Sequence, residues 1–429
     1  MQFVSTNKKA PAVDFETALF AGLAPDGGLY MPTTFPQFSS KELSSLPKKS
    51  LAEISELILK KWLPDISEKD LHSIIEQSLT FPIPLKIVGN KKILELFHGP
   101  TKAFKDVAAG VLAQLFSYYL HKEEKDLTIL VATSGDTGGA IAQAFSGIHR
   151  VKVIILYPEG RVSALQEEQL TRVGENVFPV MVKGDFDDCQ LIVKQAFLDP
   201  EFANANLSSA NSINIGRLLP QIIYYVWTYA QLPKQPIQFI VPSGNMGNVT
   251  AGIFAAKMGL PFSSFVIATN ENDAVGKYYQ TGKFIKQPTH QTLSTAMDIG
   301  DPSNFIRVLE LFNNDYEAFK KVITAIKISD EVTKETIKKV YKEYHYLMDF
   351  HTAVGFAAAE KVSASDMQQI ILSTASPIKF SAELTAETGI TVDDRGEIKR
   401  LEKSEKRVFP VTNTYAAVKK LLSRFLSDQ

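Results

Sequence analysis

IQFIVPSGNMGNVTAGIFAAKMG, Ile237 to Gly259, decides the fold. IQFIV is a short run of β-branched and aromatic residues, PSGNMGN is a loop of small residues and amides, and VTAGIFAAKMG reads as a helix closed by Gly259, with Pro261 beyond. Strand, loop and helix in that order begin a βαβ unit. SSFVIATN supplies the next strand. The same grammar runs upstream: LTILVA from Leu127, then SGDTGG, then AIAQAFSG ending at Gly147, then VKVIILY at 151–157. RVSALQEEQLTRVG is a helix closed by Gly174, NVFPVMV is strand-like, and a last buried run, QQIILST, ends at Thr374. Strands separated by helices imply parallel sheets with helices on their faces. Ligands of such sheets collect at the carboxyl ends of the strands.

The fold class expected is α/β: two parallel-sheet domains, 86–230 and 231–429, behind an N-terminal region, 1–85, that is mainly helical. SKELSSLPKKSLAEISELILKKWL and SEKDLHSIIEQSL carry apolar residues at helical spacing and open on serines able to cap. FPIPLKIV near Phe81 is Pro-spaced and reads as a linker or an edge strand.

The 429 residues are 45% apolar and 22% charged, an ordinary globular balance. Lys plus Arg number 46 and Asp plus Glu 47, for a formal charge of −1. That balance lacks the bulk electrostatic footprint of a nucleic-acid or anionic-membrane binder. One cysteine, Cys189, rules out an internal disulfide and a Cys-rich metal site. The longest nearly apolar stretch, Ile222 to Ala230, is far shorter than the roughly 18 residues of a spanning helix. The N-terminus, MQFVSTNKKAPAVDF, has no apolar core like that of a signal peptide. A cytoplasmic protein with a small-molecule ligand, and no membrane or nucleic-acid partner, is the expectation.

Three motifs carry chemistry. In PSGNMGN, Pro242 to Asn248, small residues let backbone N–H groups approach a phosphate at a helix start. The loop lacks the Lys-Ser/Thr pair of an ATP site, and a plain strand-to-helix turn would look the same. In ELFHGPTKAFKD, Lys102 and Lys105 sit among aromatic residues, where desolvation lowers an amine towards the neutral, imine-forming state. Lys105 falls near a helix start, whose dipole works in the same direction. Two solvated lysines are the alternative. In TSGDTGG, Thr133 to Gly139, hydroxyls and N–H groups at a strand end suit a carboxylate or phosphate, and equally suit helix capping. His98 and His351 have no partner at metal spacing, so no metal is expected.

Taken together, ELFHGPTKAFKD, ATSGDTGGA, LYPEGRVSALQEEQ, GDFDDCQ, NSINIGRLLPQIIYY and VPSGNMGN stand in the order and spacing of threonine synthases. GLAPDGGLYMP, ATNENDAV, TLSTAMDIGDPSNFIRV, DFHTAVG and STASPIKF extend the resemblance from about residue 15 to 380. The family implies the tryptophan-synthase β fold type, pyridoxal 5'-phosphate as cofactor, and conversion of O-phospho-L-homoserine and water to L-threonine and phosphate by γ-elimination and β-hydration. On matching positions, Lys105 would hold the cofactor as an imine. Gly244, Asn245, Met246, Gly247 and Asn248 would hold its phosphate, and Thr374 would face the pyridine nitrogen. Ser134, Gly135, Asp136 and Thr137 match the loop for the substrate carboxylate. For the substrate phosphate the candidates are Arg161, Ser163, Asn211, Ser212, Asn214 and Arg217. Two rivals remain: a phospholyase releasing 2-oxobutyrate, and a non-catalytic relative, which would be expected to have lost Lys105 or the phosphate loop.

Overall fold

The computed structural model describes residues 1–427 except 134, 203, 233–234, 263 and 363–365. Two largely parallel sheets organise it. One has six strands, in the order Ile323–Lys327, Ser264–Thr269, Ile237–Pro242, Gln368–Ser373, Lys91–Glu95 and Leu85–Val88. Its first five strands are parallel, and Leu85–Val88 closes the edge antiparallel. The other sheet has five parallel strands, in the order Phe409–Thr412, Val177–Lys183, Val151–Pro158, Leu127–Ala132 and Leu207–Ser208. LTILVA and IQFIVP are buried at every position, as strands covered by helices on both faces must be.

The N-terminal region is mainly helical, as its periodicity predicts. Leu51–Trp62 opens on a capping box between Ser50 and Glu53, and Glu68–Ser78 is capped by Ser67. The first periodic stretch is two helices rather than one. Ser40–Ser45 ends in a tight turn at Leu46–Lys48, because Pro47 has no N–H to continue the ladder. A short antiparallel pair, Phe3–Ser5 with Tyr30–Pro32, joins this region. Trp62 stacks on Phe254 with ring centroids 6.0 Å apart, so the helical region packs on the helix that follows the PSGNMGN loop.

The sheets do not follow the linear division expected at residues 85/86 and 230/231. Leu85–Val88 and Lys91–Glu95 join the sheet built mostly from later strands, and Phe409–Thr412 joins the earlier one. The tail therefore contributes a strand to the five-stranded sheet. Short runs such as FPVT have no local signature of their partner, since pairing of parallel strands is set by distant residues.

This topology brings the motifs together. Leu96–Phe104 follows the strand Lys91–Glu95, Thr133–Gly139 follows Leu127–Ala132, Ser243–Asn248 follows Ile237–Pro242, and Thr374 follows Gln368–Ser373. All lie at carboxyl ends of parallel strands.

Candidate active site

Lys105 is the first residue of the helix Lys105–Glu123. The chain leading to it is pinned to the end of the strand Gln368–Ser373. Phe104 N–H donates to Thr374 O at 2.8 Å, Ser376 N–H donates to Lys102 O at 3.0 Å, and Ala103 faces Ala375 in an isolated antiparallel bridge. Lys102 takes a left-handed φ of 60° to make this turn. Asp106 locks it from within, accepting from Thr101 N–H at 2.9 Å and from the Thr101 hydroxyl. Thr374 and Lys105 are thus held beside one another by backbone bonds.

Lys105 Nζ lies 3.4 Å from Asp136 Oδ2 and 4.9 Å from the centre of the Phe104 ring. Burial pushes its ammonium down from the ordinary lysine range; Asp136 opposes the shift, while Lys379 and Arg217 add to it. Asp136 opens the helix Asp136–Phe145; its Oδ1 accepts from Gln166 Nε2 at 2.8 Å and forms an ion pair with Lys379 Nζ at 3.1 Å. Against the upward push of burial, the charges of Lys379 and Lys105, with the Gln166 hydrogen bond, hold the Asp136 carboxyl well below the usual carboxylate range. The carboxylate is therefore turned to the two amines rather than presented to an anionic substrate. Gly135, with φ of 134°, makes the sharp entry to this helix, where a Cβ would meet Gln166 Cδ at 2.6 Å. Thr137 stands in the first helical turn, and Ser134 lies outside the described residues.

In the PSGNMGN loop, Met246 is left-handed, with φ of 61°, and the helix Gly247–Lys257 starts directly after it. Its first-turn N–H groups are free of intrahelical bonds by geometry. Asn245 is pinned on both sides. It donates to Ser212 Oγ at 2.6 Å and accepts from Ser303 N–H at 2.5 Å. Asn248 Oδ1 accepts from the hydroxyls of Tyr224 at 2.7 Å and Tyr225 at 2.8 Å, which leaves its buried Nδ2 without a partner among the described residues. A Cβ on Gly244 would meet Met297 Cα at 2.7 Å and Ala296 O at 2.9 Å. Both contacts are backbone, so Gly244→Ala must displace the loop. It is expected to lower stability by about 1–3 kcal/mol, read by urea unfolding. An unchanged urea midpoint would mean the wall behind the loop gives way freely.

That wall is held by two motifs. His351 Nε2 accepts from Ala296 N–H at 3.1 Å, which assigns its proton to Nδ1, 2.6 Å from Asp349 Oδ2. Both ring nitrogens of this buried histidine are occupied. Asp298 accepts from Asn270 Nδ2 at 2.8 Å, Asn272 Nδ2 at 3.1 Å and Thr292 N–H at 3.0 Å, so ATNENDAV braces the same segment.

The six substrate-phosphate candidates separate. Ser212 belongs to the Asn245 contacts, and Asn304 Nδ2 reaches it at 3.3 Å. Asn214 is buried and caps the helix Ile215–Leu218; its Nδ2 donates to Leu19 O and Ser209 O, both at 2.9 Å. Ser163 caps Ala164–Thr171 and donates to Lys379 O at 2.7 Å. Arg161 is exposed just before that helix, and Asn211 is half-buried with its N–H on Ser209 Oγ at 3.2 Å. Arg217 is buried, donates from Nη1 to Ala210 O at 2.7 Å, and has no partner for Nε among the described residues. Burial pushes its guanidinium down to about 10, with Asp106 opposing.

Three residues here have no counterpart in the sequence reading. Lys379 lies in STASPIKF as a lone lysine in an apolar segment, which was the available signal. Gln166 lies in LYPEGRVSALQEEQ and Arg307 in TLSTAMDIGDPSNFIRV, and membership of those motifs was their signal. Arg307 has zero exposure and donates to Tyr30 O at 3.0 Å, Ile213 O at 2.8 Å and Asn304 Oδ1 at 2.6 Å.

The family described as pyridoxal-phosphate dependent enzyme matches residues 93–373, threonine synthase N terminus matches 2–79, and threonine synthase, C-terminal matches 352–422. The threonine synthase of Escherichia coli is 41% identical over 387 residues, covering 89% of this chain and 90% of that protein. That of Buchnera aphidicola from Schizaphis graminum is 41% identical, covering 86% of this chain and 87% of its own. The crystal structure of PLP-bound threonine synthase from Brucella melitensis superposes with a TM-score of 0.94 at 35% identity, covering 99% of both chains.

Proposed function

The chain belongs to the threonine synthase family of pyridoxal-phosphate dependent enzymes, and we propose that it converts O-phospho-L-homoserine and water to L-threonine and phosphate with Lys105 as the working amine. The observation that carries this reading is the setting of Lys105 Nζ, sequestered at a helix start 3.4 Å from Asp136 Oδ2 and tied by backbone to Thr374. The residues fit pyridoxal phosphate. The orphaned buried Nδ2 of Asn248 and the Gly244 face that excludes a Cβ suit a phosphate cradle at a helix N-terminus. Bound there, the cofactor supplies a sink for negative charge developing next to the substrate amino group.

In this reading the chain's own groups do the rest. Gly244, Asn245, Met246, Gly247 and Asn248 hold the cofactor phosphate, and the Thr374 hydroxyl faces the ring nitrogen. Backbone N–H groups of Asp136 and Thr137 receive the substrate carboxylate, that of Gly135 being taken by Thr133 Oγ1 at 3.0 Å. Lys105, as a neutral amine, removes the proton from Cα, and it must give that proton up before it removes a second from Cβ, since an ammonium cannot act as the base. The phosphate leaves from Cγ, Lys105 returns a proton to Cγ, water adds its hydroxyl at Cβ and gives its proton to the departed phosphate, and a proton is restored to Cα. Arg217, with a donor left over, is the residue of the six candidates best suited to the substrate phosphate. A cytoplasmic setting is part of the proposal; among the described residues no helix is long and apolar enough to cross a membrane.

Incubating the PLP-loaded protein with O-phospho-L-homoserine is expected to give threonine and phosphate in equal amounts. Predominant 2-oxobutyrate would mean that release outruns hydration, and would replace this reading with a phospholyase.

A further inference from the structure

We propose that Lys379 is a positioning residue that competes with Lys105 for the Asp136 carboxylate and so leaves Lys105 as the amine of this cluster that works uncharged; the proposal rests on Lys105 being the cofactor-binding amine. Two lysines address one carboxylate through different oxygens. Lys379 Nζ lies 3.1 Å from Oδ1 and Lys105 Nζ 3.4 Å from Oδ2. Lys379 also donates to Thr101 O at 2.6 Å and Gln169 Oε1 at 2.8 Å, so two hydrogen bonds to neutral acceptors hold its ammonium besides the ion pair. Its side chain is fully enclosed, whereas that of Lys105 is 15% exposed. Lys105 has one long carboxylate contact and a ring face.

The charges facing Lys105 from the packed elements do not balance. Three basic groups, Lys105, Lys379 and Arg217, stand against two acidic ones, Asp136 and Asp106, and burial pushes the Asp106 carboxyl up. Asp349 stands one step further out, its carboxylate taken up by the N–H groups of Thr352 and His351 at its own helix start. His351 reaches Asp136 only electrostatically and is bonded to Asp349 and Ala296. Three basic groups against two acidic ones leave positive charge in excess in a buried site. Such a cluster sheds the proton from its least-bonded member, which is Lys105. Without Lys379 the count would balance with Lys105 charged.

The test uses the full-length apoprotein, trace-labelled with acetic anhydride across pH, with labelling at Lys105 read by mass spectrometry. In Lys379→Met the labelling midpoint is expected to rise by about one pH unit or more, while Lys379→Arg keeps it near that of the parent. Asp136→Asn should move it down. In the double variant, Lys379→Met with Asp136→Asn, the two effects oppose, and the midpoint should return to within about half a unit of the parent. An unmoved midpoint in Lys379→Met overturns the proposal. If that variant does not fold, the double variant decides against Asp136→Asn: coincident midpoints overturn the proposal, and a separation of about one unit or more supports it. Borohydride reduction of the holoenzyme with peptide mapping is run alongside. Fixation of PLP on a lysine other than Lys105 overturns the functional reading and this proposal with it, whereas fixation at Lys105 with a static midpoint overturns this proposal alone.

Discussion

Lys105→Ala is expected to lower kcat by about a thousandfold or more, because one amine is asked to move protons at two carbons and each such task contributes ~10²–10⁴. Its removal should leave the fold intact. The side chain makes a single long hydrogen bond, and the turn that carries it is held by backbone contacts of Phe104, Thr374, Lys102 and Ser376 rather than by the amine. Steady-state turnover of O-phospho-L-homoserine, with circular dichroism as the control for folding, checks both halves. Activity within tenfold of the parent protein would remove Lys105 from the mechanism. A lost fold would show instead that the Lys105–Asp136 contact is structural.

Arg307→Ala is expected to lower the unfolding free energy by about 3 kcal/mol or more, since each hydrogen bond to a charged group contributes ~1.5–3 kcal/mol and the carbonyls left behind are buried. Arg307 is fully enclosed, and its bonds to Tyr30 O, Ile213 O and Asn304 Oδ1 join three distant stretches of chain. Asn304 is adjacent to Ser303, whose N–H holds Asn245 at 2.5 Å, so the loss should loosen the PSGNMGN cradle as well. Burial pushes the guanidinium down to about 9, still charged at neutral pH. Arg307→Lys should rescue only part of the loss, because a single ammonium cannot span acceptors that a planar fork reaches. Urea unfolding reads the effect. A change within about 0.5 kcal/mol, the range of an ordinary surface substitution, would contradict the role assigned to these bonds.

Much of the fold was legible because its signals are local. LTILVA and IQFIV are continuous apolar runs of strand length, and each is followed by a small-residue loop and a helix. Ser50 with Glu53 is a capping box visible in the sequence, and it forms. The candidate site was legible only in part. Lys105 announced itself by its aromatic surroundings and by its place in a family motif. Asp136 was visible, but its partner was not: whether a loop aspartate meets a ligand or a lysine depends on which strand ends lie side by side. Asn214 and Ser163 show the converse, since a residue fit to bind an anion serves a helix cap equally well.

By itself the sequence determined which segments become strands and helices, which loops sit at strand ends, and which lysine stands at a helix start, because propensity, periodicity and capping act over a few residues. Tertiary structure alone decided that Lys91–Glu95 pairs with a strand that begins at Gln368, that Phe409–Thr412 returns to the five-stranded sheet, and that Lys379 meets Asp136. Those outcomes depend on parallel pairing and on charge balance between residues far apart in the chain, and no local pattern encodes the distance between two groups that only the finished packing brings together.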